Sequence, residues 1–273
     1  MKISYTTLSV QNLDARQAVE IAVQYGLDGI ELRGRDKIHI SPSCSFSYVS
    51  EVKKIIEASG LGIPCITAYT KFRQRTVEKV RADVDQLMEM VSLAEYMGAG
   101  CVRIFLGEVP AGMEKDRSDA VAAEGLRYAA EKLGTSPVRL AIETHDSGKS
   151  GKSLEPLLKE VPSSIGVLLD IIHPWDERES IEETWRAIGT RIYHVHIKDI
   201  RCTVEDGRIY SRIGEGLLPV GETVDWLKKH GYEGFYSLEW EKSAEWPPFA
   251  REAAGVSFEE QMDSFITFMR GRN

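Results

Sequence analysis

The feature that most constrains the fold is a regular alternation of short β-branched runs and longer amphipathic segments along the whole chain. The runs predict eight strands, at residues 2–8, 29–33, 63–69, 101–106, 138–144, 165–171, 191–197 and 235–240. Apolar residues at helical spacing lie between them. Eight strand–helix units over about 250 residues is the number found in a TIM barrel. The sequence therefore predicts one α/β domain over residues 1–273, a single (β/α)8 TIM barrel.

Local signals agree with this architecture. Asp14 is the expected N-cap of a first helix that ends at Gly26, and a longer helical pattern stops at Gly98. A doubly wound open sheet is the competing fold, but no Gly-rich turn follows the first strand. Residues 242–255 predict a long loop between the last strand and a final helix, and in a barrel this loop lies on the catalytic face.

Charge and composition exclude several classes of function. The net charge of −8 argues against a nucleic-acid partner, which needs a basic surface, and does not favour an anionic membrane. The start of the chain has no signal-peptide apolar core, and no apolar run approaches the roughly 18 residues of a membrane span. The four cysteines form no CxxC pair, which predicts a reduced, cytoplasmic protein.

Candidate functional residues are the inward-facing residues that end the strands, because TIM-barrel active sites lie there. Apolar positions mark the side of each strand that faces the helices, and alternate residues point into the barrel. In the last four strands this rule selects Glu143, Asp170, His196 and Glu239. Three crowded carboxylates repel one another unless a cation is present. The set suits one divalent ion, Mn²⁺, Mg²⁺ or Co²⁺, with Zn²⁺ less typical. Any one of these residues alone is better explained as a salt-bridge partner at the rim, but the presence of all four at equivalent strand ends favours a shared ion.

The segment RIYHVHIKD places His194, His196 and Lys198 on one face of a strand. A metal site, a catalytic base or a hydrogen-bonded pair of buried histidines would each explain two histidines there. In a barrel, His196 ends the strand, and His194 lies one inward layer, roughly 6–7 Å, below it. We therefore expect His194 to support the site through hydrogen bonds. Lys198 lies on the loop side, where it either binds a substrate oxyanion or is a solvated lysine that offsets nearby carboxylates.

Four motifs resemble the metal motifs of the xylose isomerase-like TIM barrels: LAIETHD, GVLLDIIHPW, HVHIKD and YSLEWE. The resemblance covers essentially the whole chain. This superfamily contains sugar and sugar-phosphate isomerases and epimerases, inosose dehydratases and isomerases, and hydroxypyruvate isomerases. The resemblance implies that the four selected residues are the metal ligands and that Glu143 and Glu239 are the acid/base pair. It also implies that His173 matches a substrate-binding histidine of the ketose epimerases.

The chain departs from the ketose 3-epimerases at two positions. Lys149 stands where they carry a glutamate, and Cys202 stands where they carry an arginine, although Arg201 is adjacent. A plain ketohexose epimerase is therefore not the expected activity. Arg201 and Trp175 are candidate substrate contacts, and Tyr69 could also form a wall of a sugar pocket, but ordinary packing explains Trp175 and Tyr69 equally well.

Inward-facing charges in the first half of the chain need partners inside the barrel. Glu31 and Arg33 face inward at the end of the second strand, and Arg103 faces inward in the fourth. We expect Glu31 to pair with an arginine and to support the site without touching the substrate.

The segment HDSGKSGKS (145–153) suggests a phosphate-binding loop. A P-loop is excluded because Asp146 stands where the first glycine is required. A phosphate bound by the backbone amides at the start of the next helix remains open.

Together these residues predict a divalent-metal-dependent isomerase or epimerase of a small sugar, polyol or sugar phosphate. A divalent ion bridging carbonyl and hydroxyl oxygens stabilises an enediolate, and two glutamates can remove and return the proton. The alternative is a keto-inositol (inosose) dehydratase with the same metal site. A non-catalytic sugar-binding barrel is less well supported, as is an endonuclease IV-like nuclease, which needs extra histidines. The resemblance also implies a homo-oligomer.

Overall fold

Eight parallel strands close into a barrel in the order of the chain, in a computed structural model that describes residues 1–35, 39–201, 209–241 and 256–272. The strands are β1 Lys2–Thr6, β2 Gly29–Arg33, β3 Cys65–Lys71, β4 Cys101–Phe105, β5 Arg139–Glu143, β6 Ile165–Asp170, β7 Ile192–Ile197 and β8 Phe235–Leu238. Every predicted strand overlaps an observed one with ends that differ by at most two residues. The prediction of a single (β/α)8 TIM barrel is confirmed.

Helices alternate with the strands. They are α1 Ala15–Gln24, α2 Phe46–Ala58, α3 Val77–Met97, α4 Lys115–Leu133, α5 Gly151–Lys159, α6 Ile172–Asp176, α7 Ile181–Ile188, α8 Val220–Lys229 and α9 Phe258–Arg270. Asp14 caps α1, and Gly98 ends α3 in the left-handed conformation that glycine adopts without strain. The predicted final helix is α9, whereas the predicted loop 242–255 lies outside the described residues. Within the described ranges, no helix has both the length and the apolarity that crossing a bilayer requires.

Because alternate side chains of each strand point to opposite sides, the barrel has two apolar regions, one between the strands and the helices and one inside the barrel. The outward side chains of the strands, such as Ile142 and Val167, pack with the helices in the main core. A small second cluster consists of Cys65, Cys101, Ala141 and Leu168, which come from four neighbouring strands and face the barrel interior. Cys65 and Cys101 begin their strands, so apolar packing fills the N-terminal part of the interior. Polar groups are left to the C-terminal part, where the candidate site lies.

Asp199 fixes the chain that follows β7. Its carboxylate accepts hydrogen bonds from the backbone N–H groups of Gly214 and Gly216, both at 2.9 Å, and of Leu218 at 3.1 Å. Asp199 is fully buried, so these N–H groups depend on it for a partner. The anchor holds the segment that leads to α8 against the barrel, and it thereby also fixes the position of the preceding residue, Lys198.

We expect the substitution Asp199→Ala to lower the free energy of unfolding by about 2–4 kcal/mol, because the buried N–H of Leu218 left without an acceptor costs roughly 1–3 kcal/mol and the half-buried N–H groups of Gly214 and Gly216 cost less. Chemical denaturation measures this change. Asp263→Ala is the control, since Asp263 is exposed on α9, and it should change the value by less than about 0.5 kcal/mol. Equal effects of the two substitutions would contradict the anchoring role of Asp199.

Candidate active site

A cavity of about 400 Å³ opens at the C-terminal ends of the strands. Three of the predicted metal ligands line it, namely Glu143, Asp170 and Glu239. The predicted substrate contacts His173 and Lys198 line it as well. The inward-facing rule therefore leads to the same region that the structure opens to small molecules.

The four predicted metal ligands lie together at the base of this cavity. Glu143 ends β5, Asp170 ends β6, His196 is the last inward residue of β7 and Glu239 directly follows β8. Asp170 and His196 are register partners on neighbouring strands. Each of the four side chains offers one ligand atom, and these atoms lie within 4.8 Å of one another. All four residues are buried.

His196 presents a nitrogen without a hydrogen-bond partner to this group. Its Nε2 lies 2.9 and 3.0 Å from the two carboxylate oxygens of Glu31, so Nε2 carries the proton that is donated. Its Nδ1 lies 3.0 Å from Glu239 Oε2 and 3.8 Å from Glu143 Oε1, but among the described residues no acceptor is aligned with it for a hydrogen bond. Burial by itself would lower the pKa of His196, but Glu239 and Glu31 raise it well above its usual value, so positive charge is favoured at this position and a divalent ion can take the place of the proton. Three carboxylates and one imidazole nitrogen therefore fit a divalent ion.

Glu31 lies beneath the ligand group and holds both histidines. Its Oε2 lies 2.7 Å from His194 Nε2, and the two imidazole rings meet edge to face with centroids 5.5 Å apart. Burial by itself would raise the pKa of Glu31, but His196 and His194 outweigh it and lower that pKa. The predicted pair between Glu31 and an arginine is wrong, because the two histidines reach Glu31 across the barrel.

Glu31, His194 and His196 form a second set of atoms that could hold a metal. Hydrogen bonds already join the facing atoms of these three side chains. Neither Glu31 nor His194 lines the cavity, and both are fully buried, so an ion has no direct access to them. We therefore assign this triad a supporting role and consider the four-residue group the better candidate for the metal.

Lys198 lies among the carboxylates of the site. Its Nζ is 2.7 Å from Asp170 Oδ2 and 2.5 Å from Glu239 Oε2. Burial by itself would lower the pKa of Lys198, but these two carboxylates raise it well above its usual value. The alternative of a solvated lysine is therefore wrong, since Lys198 is only 5% exposed and the carboxylates compensate its charge inside the barrel.

The two glutamates of the predicted acid/base pair have different electrostatic environments. Burial raises the pKa of Glu143; Arg103, whose Nη1 donates to Glu143 Oε2 at 2.8 Å, opposes this, and Glu239 adds to the rise. Burial would also raise the pKa of Glu239, but His196 and Lys198 hold it well below its usual value. Two carboxyl groups whose pKa values are pushed apart are suited to act as an acid and a base.

The structure brings some predicted substrate contacts to the cavity and leaves others outside. His173 Nε2 lies 3.4 Å from Asp170 Oδ2, and Tyr69 lines the opposite part of the cavity. Trp175 lines a separate groove together with Lys149. His173 and Trp175 are two residues apart on one helical turn, about 200° around the axis, so both cannot face the cavity. Arg201 is exposed and does not line the cavity. The substrate-binding predictions for Trp175 and Arg201 are thus not supported by their positions.

Several cavity residues were not selected as site residues from the sequence: Leu8, Gln11, Arg33, Arg35, Lys71, Arg103, Phe105, His145, Asp146, Tyr210 and Glu241. Some of them carried a signal. His145 and Glu241 stand two residues beyond Glu143 and Glu239, so the inward alternation continued past the strand ends would have included them. The residues that come from loops, such as Gln11 and Tyr210, had no such signal.

The start of α5 does not offer a phosphate site. Ser150 caps the helix, and the carboxylate of Glu179 accepts hydrogen bonds from the N–H groups of Gly151 at 2.7 Å and Lys152 at 3.0 Å. The free amides of a helix N-terminus are what would bind an anion, and here a carboxylate already uses them. The phosphate interpretation of segment 145–153 is therefore wrong.

A closed parallel barrel with buried polar groups at the C-terminal ends of its strands defines a TIM-barrel protein of the enzyme type. The model of the family described as "Xylose isomerase-like TIM barrel" matches residues 19–260, so the chain belongs to that family. The sequence-based identification of the superfamily is confirmed, and so is the prediction of an enzyme, because the relatives below are enzymes.

The chain is similar to a fructoselysine 3-epimerase of Shigella flexneri, with 24% identity over 253 residues, which are 88% of this chain and 90% of the relative. It is 21% identical to a 3-dehydroshikimate dehydratase of Bacillus anthracis over 266 residues, which are 88% of this chain and 91% of the relative. A crystal structure of the IOLI protein with a bound zinc atom has the same fold, with a TM-score of 0.78, 17% identity and coverage of 98% of this chain and 97% of that chain.

The substitution Glu31→Gln should weaken binding of a divalent ion about 10- to 100-fold, because Glu31 orients His196 and keeps the proton on Nε2. A calorimetric titration with Mn²⁺ measures the affinity, and circular dichroism checks the fold. Glu57→Gln on the exposed face of α2 is the control and should bind Mn²⁺ as the wild type does. An unchanged affinity in Glu31→Gln would show that Glu31 does not support the metal site.

Proposed function

We propose that the protein is a divalent-metal-dependent isomerase or epimerase that moves a proton at the carbon next to a carbonyl group in a small carbohydrate. The observation that carries this proposal is the pair Glu143 and Glu239. Both are buried, both line the cavity, and their pKa values are shifted in opposite directions. They come from β5 and β8, with two strands between them, so they approach a bound molecule from different directions.

Glu143, Asp170, His196 and Glu239 would hold the ion. When bound, a divalent ion supplies Lewis-acid stabilisation of the negative charge that develops on the substrate oxygens. The oxygen-rich donor set favours Mn²⁺, Mg²⁺ or Co²⁺. The zinc atom in the structurally similar IOLI protein keeps Zn²⁺ among the candidates.

The proton transfer itself is the task of the two glutamates. One of the two carboxylates removes the proton from carbon, and the other returns it. Glu143 comes from β5 beside Arg103, and Glu239 follows β8 beside Lys198, so the two carboxylates reach the substrate from different strands. Delivery to the opposite face of the same carbon gives an epimer, and delivery to the neighbouring carbon gives an aldose–ketose isomer. Lys198 and His173 would orient the oxygens of the substrate from the cavity wall.

The size of the cavity and the relatives support a substrate of the carbohydrate class. A volume of about 400 Å³ suits a small sugar, polyol or sugar phosphate. The similarity to a fructoselysine 3-epimerase supports a carbohydrate. Only the sequence departures at Lys149 and Cys202 argue against a plain ketohexose substrate, because Lys149 does not line the cavity and Cys202 lies outside the described residues.

Dehydration is the second candidate. The same proton abstraction leads to loss of a hydroxyl group when a hydroxyl stands on the β-carbon, as in a keto-inositol. The similarity to a 3-dehydroshikimate dehydratase favours this alternative. The ammonium group of Lys198 is also placed to donate a hydrogen bond to a departing hydroxyl.

The proposal predicts metal-dependent exchange of a substrate proton with solvent. The protein, loaded with Mn²⁺ or Co²⁺ in D₂O, should incorporate deuterium next to the carbonyl of at least one ketose, ketose phosphate, inosose or hydroxypyruvate, as measured by NMR. Removal of the ion by a chelator should abolish the exchange. At saturating metal, Glu143→Gln and Glu239→Gln should each reduce the rate about 10²- to 10⁴-fold, whereas the exposed control Glu20→Gln should not.

The products separate the two candidates. Deuterated epimers or isomers support the first, and an unsaturated product that has lost water supports dehydration. Exchange that survives both the chelator and the two glutamate substitutions would contradict the proposed mechanism. If the whole panel binds but shows neither exchange nor elimination, the protein is a sugar-binding barrel instead of an enzyme of this type.

A further inference from the structure

Arg33 is a buried cation that has no carboxylate partner among the residues that the structure describes. It ends β2, lines the cavity and is only 7% exposed. Its Nε donates to the hydroxyl of Tyr69 and its Nη1 to the side-chain oxygen of Gln11, each at 3.1 Å. Both acceptors are uncharged. Within residues 1–35, 39–201, 209–241 and 256–272, Arg33 forms no ion pair, and its Nη2 donates to no group.

The other buried cations of the cavity have anionic partners. Arg103 pairs with Glu143, and Lys198 bridges Asp170 and Glu239. The positive charge of Arg33 instead affects the pKa of a neighbouring histidine. Burial first, and then the positive charge of Arg33, lower the pKa of the neighbouring His39 to about 4. A guanidinium removed from water without an anion is costly, and its exposure to a cavity indicates that the compensating anion is a ligand.

The position of Arg33 separates it from the metal-ligand group. In this closed barrel β2 lies across from β6 and β3 across from β7. Arg33 and Tyr69 thus face the ends of the strands that carry Asp170 and His196. The guanidinium of Arg35 lies 5.1 Å from the centre of the Tyr69 ring, and Arg35 also lines the cavity. Arg33 therefore places positive charge in the part of the cavity that lies across from Asp170 and His196.

We propose that Arg33, together with Gln11, Tyr69 and Arg35, forms a subsite for an anionic group of the substrate, a carboxylate or a phosphate. The inference rests on the proposed function, which places the reacting carbon of the substrate at the metal-ligand group. It narrows the substrate to a sugar acid or a sugar phosphate. The planar guanidinium matches both anions, and Nη2 is available for the contact. A bound divalent ion adds positive charge to the same cavity, which further favours an anionic substrate.

Two pairs of probes test the subsite, and the members of each pair differ in one anionic group: ribulose 5-phosphate with ribulose, and hydroxypyruvate with dihydroxyacetone. Their affinities for the full-length protein loaded with Mn²⁺ are measured by calorimetry. At least one charged probe should bind about 10-fold more tightly than its neutral partner, the order expected for a hydrogen-bonded charge pair. The pair that shows the preference identifies the anion as phosphate or carboxylate.

Arg33→Gln should reduce this ratio to within about twofold of unity while the neutral probe binds as before. Arg75→Gln is the matched control, because Arg75 is exposed, donates to the backbone oxygen of Ala111 and does not line the cavity. Arg33→Lys keeps the positive charge but removes the planar guanidinium. It should reduce the logarithm of the affinity ratio between charged and neutral probes by about half. This second variant tests the subsite even if Arg33→Gln does not fold, which circular dichroism detects.

Equal affinities for the charged and neutral members of both pairs would overturn the proposal, and so would a preference that both Arg33 variants retain in full. Deuterium exchange measured on the same wild-type samples separates this outcome from failure of the proposed function. A charge preference that depends on Arg33 without any exchange supports the subsite and rejects the catalytic proposal. Exchange without a charge preference supports the catalysis and rejects the subsite.

Discussion

Three carboxylates buried within one small volume are the constraint on which the rest of the site depends. They belong to Glu143, Asp170 and Glu239. Carboxylates this close repel one another, and burial adds the loss of hydration, so the folded chain has to supply positive charge. Arg103 pairs with the first, and Lys198 bridges the other two. The unpartnered nitrogen of His196 still faces this group, and a divalent ion there would complete the compensation.

The supporting structure extends below and above the site. Below it, Glu31 accepts hydrogen bonds from both His194 and His196, which fixes the imidazole whose other nitrogen faces the carboxylates. Above it, Asp199 accepts hydrogen bonds from the backbone N–H groups of residues 214, 216 and 218 and so fixes the chain that carries Lys198. Each layer therefore helps to fix the orientation of the next, and the apolar cluster of the barrel interior lies beneath these polar layers.

The parts that could be predicted from the sequence are those set by local periodicity. Alternation along each strand identified the inward-facing residues, and the barrel then required their C-terminal members to lie together, as Glu143 and Asp170 do. Side-chain pairs that form across the barrel could not be predicted from this local periodicity. Glu31 pairs with His194 of β7, 163 positions away. This pairing depends on which inward-facing residues of distant strands lie at the same height in the barrel. The amides that begin α5 likewise bind Glu179, a residue that no local pattern connects with that helix.

Anomalous X-ray diffraction from crystals grown with Mn²⁺ tests the central claim most directly, because it locates the ion independently of any substrate. The account predicts one strong peak among the carboxylates of Glu143, Asp170 and Glu239, in contact with His196 Nδ1. A peak beside Glu31 and His194, or a protein saturated with Mn²⁺ in solution whose crystals show no peak at the four-residue group, would contradict it.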